Sequence, residues 1–117
     1  ISSGDSMLDI ARELKNRNAR RIFCAVTFGL FTDGIDHFQK AYEEGILSRV
    51  FATNLIYRRK ELLEAPWFVD VNMSKFVALI IDAINHDSSL SGLMDPTVKI
   101  RSLLDSYCRN GHCQEPR

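Results

Sequence analysis

The chain has 117 residues, with 15 Lys and Arg against 15 Asp and Glu, and 45% of its side chains are apolar. One globular domain fits that length, burying roughly two-thirds of the surface of its unfolded chain. A formal net charge of +0 lacks the basic excess that nucleic-acid binding requires, so no nucleic-acid partner is expected. No apolar run approaches the roughly 20 residues of a spanning helix, and no secretory h-region opens the chain, so it reads as soluble, without a membrane partner, and cytoplasmic.

The first residue is Ile1 rather than Met, and Ile1-Ser2-Ser3-Gly4-Asp5-Ser6 looks like the inside of a loop. The expectation is the C-terminal part of something longer, with a strand ahead of Ile1. Met7, Ile10, Ala11 and Leu14 share a helical face, on a helix that starts within residues 4–6 and ends near Asn18. Arg21 to Thr27 is a continuous apolar run, as in a strand buried on both faces. Ile35, Phe38 and Tyr42 mark a second helix, with Asp33 as its expected N-cap and Gly45 as its stop.

Val50 to Asn54 and Trp67 to Val71 read as two more strands. A third helix carries Val77, Ile80, Ile81 and Ile84 at i, i+3, i+4 and i+7, with Phe76 widening the stripe. The fourth opens on Asp95-Pro96, a cap followed by proline at the first helical position, and carries Ile100, Leu103, Leu104 and Tyr107. This order predicts an α/β fold with a mainly parallel sheet flanked by helices, incomplete at its N-terminal side. The domain is expected over 1–107, with a polar tail at 108–117. Parallel sheets take their ligands at the C-terminal ends of their strands.

Ser2, Ser3, Gly4, Asp5 and Ser6 form the strongest local signal. Small hydroxyl residues around a glycine, followed by a helix, turn backbone N–H groups and the positive end of the helix dipole toward one space. That suits a phosphate monoester, with Gly4 leaving the backbone open to it. The other reading is an ordinary cap by one Ser or Asp. Spacing alone favours the cap, and the charge of Asp5 opposes an anion.

Arg58-Arg59-Lys60 reads as a solvated basic face, and Thr53-Asn54 as either ligand donors or turn chemistry. His37 and His86 have no carboxylate or second His at ligand spacing. Cys24 is a small buried hydrophobe, while Cys108, His112 and Cys113 fit no zinc pattern. No catalytic motif and no metal site are assigned.

The order of the pieces resembles one known family. Ile1 to Leu14 (ISSGDSMLDIAREL), Ala19 to Phe31 (ARRIFCAVTFGLF), Val50 to Asn54 (VFATN) and Met73 to Met94 (MSKFVALIIDAINHDSSLSGLM) resemble the C-terminal domain of ribose-phosphate pyrophosphokinase. The resemblance implies a type I phosphoribosyltransferase-like fold in a homo-oligomer. It also implies transfer of diphosphate from ATP to ribose 5-phosphate with Mg²⁺, for nucleotide biosynthesis. By the same resemblance Ser2, Ser3, Gly4, Asp5 and Ser6 contact ribose 5-phosphate, while Ser89 and Met94 belong to an effector site. The family's paired aspartates, basic catalytic loop, metal ligands and ATP pocket are absent here, so this piece alone is expected to be inactive. Phe28 stands where relatives often have histidine, and Met94 where an aromatic residue is frequent. The alternative is a non-catalytic regulatory or oligomerisation module of the same fold.

Overall fold

The computed structural model describes residues 1–109. Its elements run α1 (Asp5–Asn16), β1 (Phe23–Val26), α2 (Asp36–Glu43), β2 (Arg49–Thr53), α3 (Lys60–Glu64), β3 (Phe68–Val71), α4 (Ser74–Asn85), α5 (Ser91–Met94) and α6 (Thr97–Arg109). The strands form one parallel sheet in the order β1-β2-β3, with Cys24 beside Val50 and Val50 beside Phe68. Parallel neighbours need crossover connections, which α2 and α3 provide. The α/β class read from the sequence is the one observed.

The chain divides into two compact units, Ile1–Ser74 and the segment from Lys75 onward. Helix α6 carries through Cys108 to Arg109. The remainder of the expected tail, with His112 and Cys113, lies outside the described residues.

The core belongs to the first unit. Leu8 and Ala11 of α1, Phe38 and Ala41 of α2, Val50 and Ala52 of β2, and Leu62 of α3 pack around Phe31, Trp67 and Phe68. Phe38 stacks on Trp67 with ring centroids 5.4 Å apart, and Phe31 meets Phe38 edge-on at 4.9 Å. Both are favourable ring geometries. The indole N–H of buried Trp67 donates to Gln39 Oε1 at 2.9 Å, so its polar atom is satisfied.

Three local expectations change. The Arg21–Thr27 run yields β1, but not a strand buried on both faces. Among the described residues it pairs with β2 alone, and Phe23 is 56% exposed. Helix α2 starts at Asp36 with Ile35 as its N-cap residue, so Asp33 does not cap it. Gly45 does stop it, at φ 68°. On α1 the buried residues are Leu8 and Ala11. Met7, Ile10 and Leu14 instead line an apolar groove with Phe23, Cys24 and Ala25. At α6 Asp95 Oδ1 accepts from the Thr97 amide at 2.9 Å, as the expected cap requires, but the helix begins at Thr97, so Pro96 precedes its first residue.

Candidate phosphate-binding loop

Gly4 begins α1 in a left-handed conformation, φ 99° and ψ −2°. An L side chain there is strained. A Cβ would also lie 2.2 Å from Phe38 Cζ and 2.5 Å from Phe38 Cε2. The glycine is therefore required by the aromatic core behind the loop. It was expected to clear space for an anion in front; the hydrogen that replaces a side chain faces Phe38 instead.

The residues before Gly4 are clipped to the segment that follows β1. The Ile1 nitrogen donates to the Phe28 carbonyl at 2.8 Å. In return Leu30 N–H donates to Ile1 O at 2.9 Å, and Thr32 N–H to Ser2 O at 3.1 Å. Phe28 contributes its carbonyl to this clip, and its ring is half exposed. Core contact on one side and backbone pairing on the other fix the path of the loop.

At the helix start, the Leu8 amide donates to Gly4 O at 3.0 Å. The amides of Asp5, Ser6 and Met7 precede that ladder, as first-turn donors must. No side chain among the described residues caps the helix. The ordinary cap that spacing favoured is not what forms. Ser2, Asp5 and Ser6 are exposed, while Ser3 and Gly4 are partly covered. Asp5 sits in the first turn, where its charge suits the helix dipole and opposes a bound anion.

The other polar candidates are occupied structurally. The Thr53 hydroxyl donates to the Thr27 carbonyl. Asn54 Nδ2 donates to Asn72 Oδ1 and Ser74 Oγ, both at 3.2 Å, and Asn54 Oδ1 accepts from the Met73 amide at 2.8 Å. The Thr53 bond joins the C-terminal ends of β1 and β2, and the Asn54 bonds join those of β2 and β3, so both side chains are held by partners distant in the chain rather than by a local turn. Arg58 pairs with Asp70 on β3, and Lys60 lies 3.6 Å from Glu64. The basic run is thus not uniformly solvated.

His86 also has a carboxylate, Asp82 Oδ1 at 3.3 Å, one helical turn earlier. His37 is exposed on α2. Ser89 Oγ lies 2.8 Å from Ser91 Oγ and accepts from the Ser91 amide at 3.3 Å, turning the chain into α5. Sequence reasoning missed this short helix and α3. Met94 ends α5 and is exposed. Burial raises the Cys24 thiol pKa. Among the described residues no group of three or more His, Cys, Asp or Glu side chains converges, and no step through Mg²⁺ is assigned to them.

No family model matches the chain. Among curated proteins, it is 26% identical over 94 residues to ribose-phosphate pyrophosphokinase of Mycoplasma pneumoniae, covering 80% of this chain and 28% of the relative. It is 31% identical over 93 residues to human phosphoribosyl pyrophosphate synthase-associated protein 2, covering 80% of this chain and 24% of that one. The chain is related to the ribose-phosphate pyrophosphokinase family. The enzyme of that name from Vibrio cholerae is 25% identical over 95 residues, covering 81% of this chain and 29% of its own length. The chain thus spans about a quarter of the length of these relatives. Among the described residues, no helix is long and apolar enough to cross a membrane.

Proposed function

We propose that the chain is the ribose-5-phosphate-binding part of a ribose-phosphate pyrophosphokinase-type protein. The observation that carries this reading is the start of α1, where a glycine in the left-handed conformation opens a helix that no described side chain caps. Its first-turn amides and the hydroxyls of Ser3 and Ser6 are donors suited to a phosphate dianion at the positive end of the helix. Ser2 and Asp5 complete the contact set that the resemblance implies. Positioning and charge neutralisation dominate diphosphoryl transfer. In this proposal the chain holds the acceptor sugar phosphate, while ATP, Mg²⁺ and the charged catalytic groups are held by residues other than these. A homo-oligomer in the cytoplasm, with Ser89 and Met94 at an effector site, belongs to the same proposal.

The human relative, at 31% identity, is named as a synthase-associated protein. Its name supports a second reading, a binding module that acts on a synthase rather than as one.

Titration calorimetry with ribose 5-phosphate tests the binding role. Ser3→Ala and Ser6→Ala should each weaken affinity by about 1 kcal/mol, the lower end for a hydrogen bond to a charged group, at unchanged thermal stability. Unchanged affinity in both variants overturns the proposal. Adding ATP and Mg²⁺ to the same chain should release no AMP. Altered turnover of a ribose-phosphate pyrophosphokinase on mixing with this chain would select the second reading.

A further inference from the structure

A cleft of ≈ 270 Å³ lies in the first unit, between the turn at Gly29–Phe31 after β1 and the segment from Ile56 to Leu62 after β2. It sits beyond the C-terminal ends of two parallel strands, the side on which open α/β sheets take their ligands. Its base is fixed. Phe31 adopts φ 48°, is buried, and its ring contacts Phe38, Trp67 and Phe68. A Cβ at Gly29 would come within 2.7 Å of Phe31 Cε2, so glycine is what lets that ring tuck beneath the turn. The walls are apolar, formed by Leu30, Ile35, Ile56 and Leu62.

Two polar groups stand over this apolar base, Tyr57 and Arg59. Tyr57 is 87% exposed, a large ring left in water. Arg59 differs from its two basic neighbours. Arg58 is paired with Asp70 and Lys60 with Glu64, whereas the Arg59 side chain has no hydrogen bond or ion pair among the described residues; its carbonyl accepts from the Leu63 amide at 3.3 Å. No acidic side chain lines the cleft, so nothing in its lining neutralises that guanidinium.

We propose that this cleft binds a small planar ring carrying one acidic group, a carboxylate or a phosphate. The ring enters the apolar space above Phe31, where its desolvation is favourable. The oxyanion meets the planar fork of Arg59, a geometry suited to carboxylate and phosphate alike. Tyr57 provides an aromatic surface at the rim. The volume lies just below the roughly 300–1,000 Å³ of sites for drug-sized ligands, so one ring system is the appropriate size. The inference is independent of ribose 5-phosphate binding at α1.

The experiment is an NMR titration of the full chain with benzoate, phenyl phosphate, benzyl alcohol and inorganic phosphate, each to about 10 mM, since a ligand this small reaches only millimolar-range affinity. Benzoate or phenyl phosphate should shift the amides of Gly29 to Phe31 and of Ile56 to Arg59, saturably. Whichever acid saturates them at the lower concentration identifies the acidic group. Benzyl alcohol should bind about tenfold more weakly, as loss of one charge-assisted contact predicts. Inorganic phosphate should leave these amides unmoved. Arg59→Ala should reduce the affinity for the acid about tenfold, Lys60→Ala should leave it unchanged, and Ile56→Trp should block the site. Absence of saturable shifts with both acids overturns the proposal. So does equal binding of benzyl alcohol, or full affinity in Arg59→Ala.

Discussion

The unit from Ile1 to Ser74 and the helices beyond it place their apolar residues differently. In the first, twelve side chains form one buried cluster centred on Phe31, Phe38, Trp67 and Phe68. In the second, Ala83 is the one buried hydrophobic among the described residues, while Ile81, Ile84, Leu103, Leu104 and Tyr107 are all more than half exposed. The helical periodicity is equally clear in both. Periodicity makes an element; it does not determine how much of that element is covered. Loop geometry in this chain is therefore expected to be most firmly held where the loop leans on the first cluster, as Gly4 does.

The largest test of that contrast is a pair of truncations. Trp67→Ala should cost about 3–5 kcal/mol, as for other buried large aromatics. Leu104→Ala should lie within about 0.5 kcal/mol of the parent, as surface substitutions do. Urea denaturation of both variants checks this. A comparable loss in Leu104→Ala would show that α6 is covered in solution and would erase the contrast.

A second pair sharpens it at the loop. Gly4→Ala and Gly34→Ala both place a Cβ at positive φ, 99° and 85°, but only the first meets neighbouring atoms. Left-handed strain of about 1–2 kcal/mol should appear in each, and overpacking against Phe38 should add about 1–3 kcal/mol to Gly4→Ala alone. Equal losses would mean that Phe38 yields, and that the core does not hold the loop.

The smallest effect is expected at the start of α6. The side-chain and backbone hydrogen bonds from Thr97 lower the Asp95 pKa. A carboxyl whose pKa falls on folding contributes stability above its unfolded pKa and loses it as pH drops through the folded value. Helix content at α6 should therefore fall slightly below about pH 4, the ordinary carboxylate range. Asp95→Asn should show no such step. The Thr97 amide shift, followed by NMR between neutral and acid pH, reports it directly. A step retained in Asp95→Asn would assign it to another group.

Much of this was legible in the sequence, because period and composition are local. The three apolar runs gave the strands, and the i, i+3, i+4 stripes gave α1, α4 and α6. What was not legible depends on partners distant along the chain. Phe23 looks like a core residue until the sheet order of the described residues leaves β1 with β2 as its one neighbour. Gly4 looks like a gap for a ligand until Phe38, which follows 34 positions later, fills the space behind it. Arg58 looks solvated until β3 presents Asp70. Helices α3 and α5 span 5 and 4 residues, too few for any period to register. At the candidate site the loop and its helix were readable from residue types alone, whereas the lack of a side-chain cap was not. Ser, Asp and Gly at a helix start are compatible with both outcomes.

The central claim is that the loop at Ser2–Ser6 holds the phosphate of ribose 5-phosphate. Its most direct test is amide chemical-shift mapping on the full chain with ribose 5-phosphate, and with ribose as the control lacking the phosphate. The account predicts saturable shifts at Ser3 through Met7 with the sugar phosphate, none there with ribose, and loss of the response in Gly4→Ala if that variant stays folded. Saturable shifts confined to other residues, or none with either ligand, would contradict it.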